Sequence, residues 1–95
     1  MTADAEPLAL VIQELRQVAH ALAREGQGGH LSKLAEELKV HADRLEHERD
    51  PVTFGPISED LKRLAKLLVP DDSVSARNVA EACLRLHKLS APAAT

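Results

Sequence analysis

Residues 8–22 read LALVIQELRQVAHAL, and residues 31–45 read LSKLAEELKVHADRL. In both stretches apolar residues recur every three or four positions, which places them on one face of an amphipathic helix. Leucine also recurs every seven residues in each stretch, a spacing that favours knobs-into-holes packing of two antiparallel helices. The glycine-rich segment Gly26-Gln27-Gly28-Gly29 separates them. The sequence therefore predicts a helical hairpin with helices over about 7–25 and 30–48.

The rest of the chain predicts two more helices, over about 58–69 and 73–89, followed by a frayed tail over 90–95. Residues 50–56 contain two prolines and a glycine and predict an ordered loop, in which Phe54 covers one end of the core. The capping residues expected for these helices are Ser58 for the third and Asp71, Asp72 or Ser73 for the fourth. The predicted fold is all-α, an antiparallel up-down four-helix bundle forming a single domain over 1–95.

Composition sets the size and chemistry of this domain. The chain has 95 residues, of which 44% are hydrophobic and 28% charged, as in an ordinary globular domain. Phe54 is the only aromatic residue, so the core must be built from aliphatic side chains. A domain of this length buries a modest share of its surface on folding, and such domains often bury more surface by self-association.

Charge and cysteine content narrow the function classes. The net charge of −3 arises from 12 basic and 15 acidic residues that are interspersed, which disfavours nucleic-acid binding. Cys83 is the only cysteine, so no intramolecular disulfide can form. The acidic first residues do not resemble a signal peptide, and no apolar stretch approaches the ~20 residues of a membrane span. We expect a cytoplasmic protein without membrane contact.

No catalytic or metal signature is present. Among the five histidines, none pairs with another at the three- or four-residue spacing that lets two rings on one helix meet one ion, and His41 and His47 are six apart. His41 lies beside the apolar face of its helix, so we expect it to be half buried. Cys83 falls on the apolar face of the last helix, where it packs as a small hydrophobe. The sequence predicts no enzyme activity, no catalytic residue, no metal and no cofactor.

Some aliphatic residues lie off the predicted core faces. Three of them stand two positions, about 200° of helix, from a core leucine. A fourth widens the apolar arc of the third helix. The predicted partner or dimer interface consists of Leu10, Val40, Leu67 and Leu84. We therefore expect a non-enzymatic protein-protein interaction module, a regulatory or accessory protein that forms a homodimer, binds another protein, or both.

One alternative function is that of a DNA-associated regulator. Residues 61–86 predict a helix, a short break and a second helix, the order found in helix-turn-helix motifs. The bases available in and next to this segment are Lys62, Arg63, Lys66, Arg77, Arg85 and Lys88. However, Asp71 and Asp72 lie in the break, where they would repel phosphates.

The other alternative is a degenerate histidine-phosphotransfer bundle that carries the phosphoryl group on His20. Such domains expose a histidine on a four-helix bundle and generally follow it with leucine at +2, lysine at +3 and glycine at +4. Here Leu22 matches, but Ala23 and Arg24 occupy the other two positions. The long side chain of Arg24, in place of glycine, would crowd an approaching partner, so the match to such domains is incomplete.

Overall fold

The computed structural model describes residues 5–26 and 29–90, and these residues form four α-helices. The helices are α1 (Ala5–Gly26), α2 (His30–His47), α3 (Pro51–Leu68) and α4 (Ser73–Leu89). Consecutive helices run antiparallel; α1 packs along α2 and α4, α3 packs along α4, and α2 meets α3 over fewer residues. This arrangement confirms the predicted antiparallel four-helix bundle, which consists of an N-terminal hairpin (α1/α2) and a C-terminal hairpin (α3/α4).

The core is aliphatic and lies where the apolar faces of all four helices converge. The leucines that recur every seven residues in α1 are fully or almost fully buried, as are two of the three in α2, while Leu31 is partly buried. Leu61, Leu64 and Leu68 of α3 and Val79 and Leu86 of α4 complete its centre. The predicted core faces are thus confirmed, including burial of Phe54.

The start of α3 corrects the sequence prediction. Residues 51–56 were expected to form a loop, but α3 begins at Pro51 and continues through Pro56. Pro51 occupies the first helical position, where a missing N–H costs nothing, and the Asp50 carboxylate accepts a hydrogen bond from the Val52 amide (3.1 Å). Pro56 lies in the second turn, so its missing N–H removes one helical hydrogen bond, the one to Val52.

The prediction that Ser58 caps α3 is therefore wrong: Ser58 is a buried residue within the helix. Its hydroxyl donates to the Gly55 carbonyl (2.8 Å), which satisfies the polar group inside the bundle. The cap of α4 is Asp72, one of the three predicted candidates; its carboxylate accepts from the Ser75 amide (3.0 Å). The tail was expected over residues 90–95. Ser90 forms a bend after α4, and residues 91–95 lie outside the described residues. Residues 27 and 28 of the glycine-rich turn also lie outside them.

Within the part of the chain that the structure describes, no helix is both long and apolar enough to cross a membrane.

Candidate functional site

A groove of about 700 Å³ runs along the outer surface between α3 and α4, and we call it the α3/α4 groove. Its floor consists of small side chains, its two walls carry three cations, and exposed aliphatic side chains line it as well. The lining residues are Ser58, Glu59, Lys62, Ala65, Lys66, Val69, Ser73, Ala76, Arg77, Ala80, Cys83, Leu84 and His87.

Small residues on both helices create the floor. Ala65 and Ala76 are buried, Cys83 is half-buried, and Ala80 is exposed. Because none of these side chains is long, the space above the line where α3 and α4 meet stays open. The floor is apolar and concave, as binding grooves for apolar groups generally are.

Cys83 holds α4 against α3 at one end of the groove. Its thiol donates to the Ser58 backbone carbonyl (Sγ to O 3.0 Å). Burial raises the pKa of the Cys83 thiol above its usual value, and the positive charge of Lys62 opposes this rise. The thiol is therefore protonated at neutral pH, which suits an apolar contact rather than a nucleophile.

The walls of the groove are basic. Lys62 and Lys66 project from α3 and Arg77 from α4, and all three are exposed. None of the three forms an ion pair with another residue of the described ranges. Elsewhere Arg63 pairs with Glu37 (3.3 Å), and Arg16 and Arg85 also form ion pairs with carboxylates of neighbouring helices. Glu59 is the single acidic residue of the lining.

Two aliphatic side chains of the lining are exposed. Leu84 is 62% exposed and Val69 is 57% exposed, on opposite helices of the groove. Cys83 contacts Ser58 of α3, so Leu84 lies toward the Ser58 end of the groove, whereas Val69 lies near the turn into α4. Exposed aliphatic side chains beside an apolar floor are typical of a surface that a partner covers.

The predicted interface residues do not converge on this groove. All four are exposed, but only Leu84 lines it. Leu10 lies beside a shallow depression between α1 and α4, next to the Glu14–Arg85 ion pair (2.9 Å). Val40 and Leu67 project from α2 and α3 outside the groove. The small residues of the floor are not predicted as a site by the sequence, in which their only signal is the spacing of four and three at Ala76, Ala80 and Cys83.

A second groove, of about 730 Å³, lies between α1 and α2. It is lined by small and polar residues, including His20, Lys33 and Lys39, but by no exposed valine, leucine or isoleucine among the described residues. Arg16 at its edge is ion-paired with Asp43 and Glu46 of α2. This groove therefore offers less apolar surface to a partner than the α3/α4 groove does.

His41 is the one buried histidine of the described residues, with 8% of its surface exposed. It was predicted to be half buried, and the structure places it deeper, between α2 and α3. Its Nε2 lies 3.5 Å from Asp60 Oδ2, and its Nδ1 is buried without a hydrogen-bond partner among the described residues. Desolvation lowers the pKa of His41, although the nearby Asp60 carboxylate opposes this shift. The imidazole is thus neutral at pH 7.

No group of three or more potential metal ligands occurs among residues 5–26 and 29–90. The segment 61–86, which could have formed a helix-turn-helix, folds as a hairpin whose two helices lie side by side, whereas helix-turn-helix motifs cross their helices at ~90–120°.

Comparisons of the chain with protein-family models, with curated proteins and with solved structures find no match.

Proposed function

We propose that this chain is a non-enzymatic protein-interaction module whose α3/α4 groove binds the apolar face of a helix from a partner. The observation that carries the proposal is the exposure of Leu84 and Val69 beside a concave floor of small residues. Helix-in-groove binding places apolar side chains of one helix into such a surface.

The size of the groove fits a short helix. From Ser58 to Val69 the α3 wall covers about 17 Å at 1.5 Å per residue, which matches about three turns of a bound helix. Floor residues as small as Ala65, Ala76 and Ala80 would let leucine-sized side chains of the partner enter between α3 and α4. A bound helix would cover Leu84 and Val69 as well, so the gain would come from burial of apolar surface on both partners.

The two alternative functions have weaker support. A DNA-reading module of the helix-turn-helix type would need α3 and α4 to cross at a steep angle, whereas α4 packs along α3. A phosphotransfer module would use His20, which is exposed in the groove between α1 and α2, but Arg24 stands where these domains have glycine. Self-association through Leu10, Val40, Leu67 and Leu84 stays a prediction, and only Leu84 of these lines the α3/α4 groove.

The test uses a displayed library of 15-residue peptides that carry leucine at helical spacing and are varied at the other positions. The immobilised protein selects from this library, and affinities of selected peptides are then measured by fluorescence anisotropy. Leu84→Glu should abolish binding because it places a charge in the groove. Val40→Glu is the matched control, since Val40 is similarly exposed (57%) but projects from α2 outside the groove.

Cys83 provides a second measurement because it lines the groove. A bound helix should slow alkylation of its thiol by iodoacetamide, with Val40→Glu behaving like the unchanged protein. If selection enriches no peptide, or if Leu84→Glu and Val40→Glu bind selected peptides equally, the α3/α4 groove is not a helix-binding site.

A further inference from the structure

We infer that the occupant of the α3/α4 groove is an acidic amphipathic helix of a different protein, with Asp or Glu flanking its apolar stripe. This inference rests on the proposed function and specifies its partner. It follows from the distribution of charge around the groove and from what that charge means for a second copy of the chain.

The groove carries the opposite charge to the whole chain. Its walls hold Lys62, Lys66 and Arg77 against the single acid Glu59, although the chain as a whole has a net charge of −3. The three cations have no carboxylate within ion-pair distance among the described residues, and all three side chains are exposed. A patch of one sign attracts a partner of the other sign and raises its rate of association.

The cations stand on both sides of the apolar floor, which determines where the partner must be acidic. Lys62 and Lys66 lie on the α3 wall and Arg77 on the α4 wall. A helix in the groove would therefore meet positive charge along both edges of its apolar stripe. Acidic residues on both edges would be paired, whereas lysine there would bring like charges together at a partly desolvated boundary.

A second copy of this chain fits the groove poorly. In a two-fold dimer formed through the groove the same surface meets itself, so the interface would contain Lys62, Lys66 and Arg77 from both copies. Like charges opposed across an interface disfavour the complex. A head-to-tail contact, with another face of the second copy in the groove, would leave one groove open and grow into a ring or filament. The charge distribution thus favours a different, acidic protein.

The experiment uses three synthetic 15-residue helical peptides with one shared stripe of leucine and alanine. Their flanking positions are all Glu, all Gln or all Lys. Binding is measured by fluorescence anisotropy with the full chain and with Lys62→Glu/Lys66→Glu. The matched control is Lys33→Glu/Lys39→Glu, which changes the net charge equally but alters two exposed lysines of the groove between α1 and α2.

We expect the Glu peptide to bind at least about tenfold more tightly than the Lys peptide, and to lose affinity as salt is raised. Lys62→Glu/Lys66→Glu should reverse this order of affinity, and Lys33→Glu/Lys39→Glu should keep it. Circular dichroism of each variant confirms that the helices remain folded.

Each contrary result has a distinct meaning. If all three peptides bind equally and Leu84→Glu abolishes binding, the groove binds helices but the acidic partner is wrong. If no peptide binds, both the inference and the proposed function fall. If sedimentation equilibrium shows a dimer or larger assembly that Leu84→Glu converts to folded monomer, the occupant is a second copy, and the acidic partner is overturned.

Discussion

The N-terminal hairpin and the C-terminal hairpin use their outer surfaces differently. In the N-terminal hairpin, Arg16 of α1 reaches across to Asp43 and Glu46 of α2, while the lysines of its groove, Lys33 and Lys39, form no ion pair among the described residues. In the C-terminal hairpin, Lys62, Lys66 and Arg77 also remain unpaired among the described residues. The two grooves therefore differ mainly in apolar surface, since exposed Leu84 and Val69 line only the second, and on the proposed function this difference makes the C-terminal hairpin the binding surface.

The two hairpins also differ in how the first turn of their second helix is capped. Gly29 precedes α2 and provides no side-chain cap, although its carbonyl accepts from the Ser32 amide (3.0 Å). Asp72 precedes α4 and caps it through two hydrogen bonds with Ser75. The first turn of α4 therefore has a side-chain cap, and the first turn of α2 has none.

The largest effect should come from core truncation, which tests whether the two hairpins unfold together. Leu38 in α2 and Leu64 in α3 are both fully buried. We expect Leu38→Ala and Leu64→Ala each to lower the free energy of unfolding by about 2–5 kcal/mol, because each leaves a cavity in the shared core. The measurement is urea unfolding followed by circular dichroism.

Leu84→Ala is the control for these variants, and as an exposed substitution it should change stability by no more than about 0.5 kcal/mol. Both core variants should unfold in a single transition. Two separate transitions, with one hairpin surviving the loss of the other, would show that the hairpins are independent units.

A smaller effect should follow from changing the two turns. Asp72→Ala should cost about 1 kcal/mol because the first turn of α4 loses its side-chain acceptor. Gly29→Asp should instead gain a few tenths of a kcal/mol, since the backbone at Gly29 is extended, as capping residues usually are. Both changes are measured by thermal unfolding, and equal losses from the two substitutions would contradict the difference described between the turns.

The cap also has a pH signature. Hydrogen bonds from the Ser75 backbone amide and hydroxyl lower the pKa of Asp72 below its unfolded value of 3.8. The contribution of this cap to stability is therefore present above that value and lost as the pH falls through the lower folded pKa.

We expect the smallest effect at the boundary between the hairpins, where His41 of α2 faces Asp60 of α3. Desolvation lowers the pKa of His41 below the unfolded value of 6.5, so the folded protein binds this proton less readily than the unfolded chain. Stability should fall as the pH drops through that value, and more weakly in His41→Leu. Because Asp60 opposes the desolvation, the change should be modest.

The measurement compares urea unfolding at about pH 7.5 and about pH 5.5. His20→Gln serves as the control, since His20 is exposed on α1. The groups that surround His41, including Arg44 and Glu37 on its own helix and Arg63 and Asp60 on α3, are retained in both variants. An equal pH response in His41→Leu and in the unchanged protein would rule out this role for the imidazole.

Most of the fold could be predicted from local patterns. Apolar spacing identified the core faces of all four helices, because burial of a helix follows its own periodicity. The error lay at residues 51–56, where two prolines suggested a loop. Pro51 is compatible with a first helical position, and the Asp50 cap and buried Phe54 favour continuing the helix through Pro56. Tertiary packing outweighed the local penalty of one proline.

The groove could not be predicted in the same way. The spacing of Ala65 and Ala76 places them on the core faces of α3 and α4, and both are buried there. They become part of a groove only because α3 and α4 lie side by side, which depends on pairing between helices rather than on either helix alone. Leu84 was singled out because it is apolar and off the core face, a property that needs no knowledge of the neighbouring helix.

Phe54, buried near the start of α3, carries the only benzene ring in the chain, since the chain has no Tyr or Trp. Aromatic rings shift the proton resonances of methyl groups that lie against their faces, and a benzene ring does so more strongly than the imidazole of histidine. The most strongly upfield methyl signals of this protein are therefore expected from neighbours of Phe54. Such a signal would report directly on whether the first turns of α3, with both prolines, are docked on the core, without any added label.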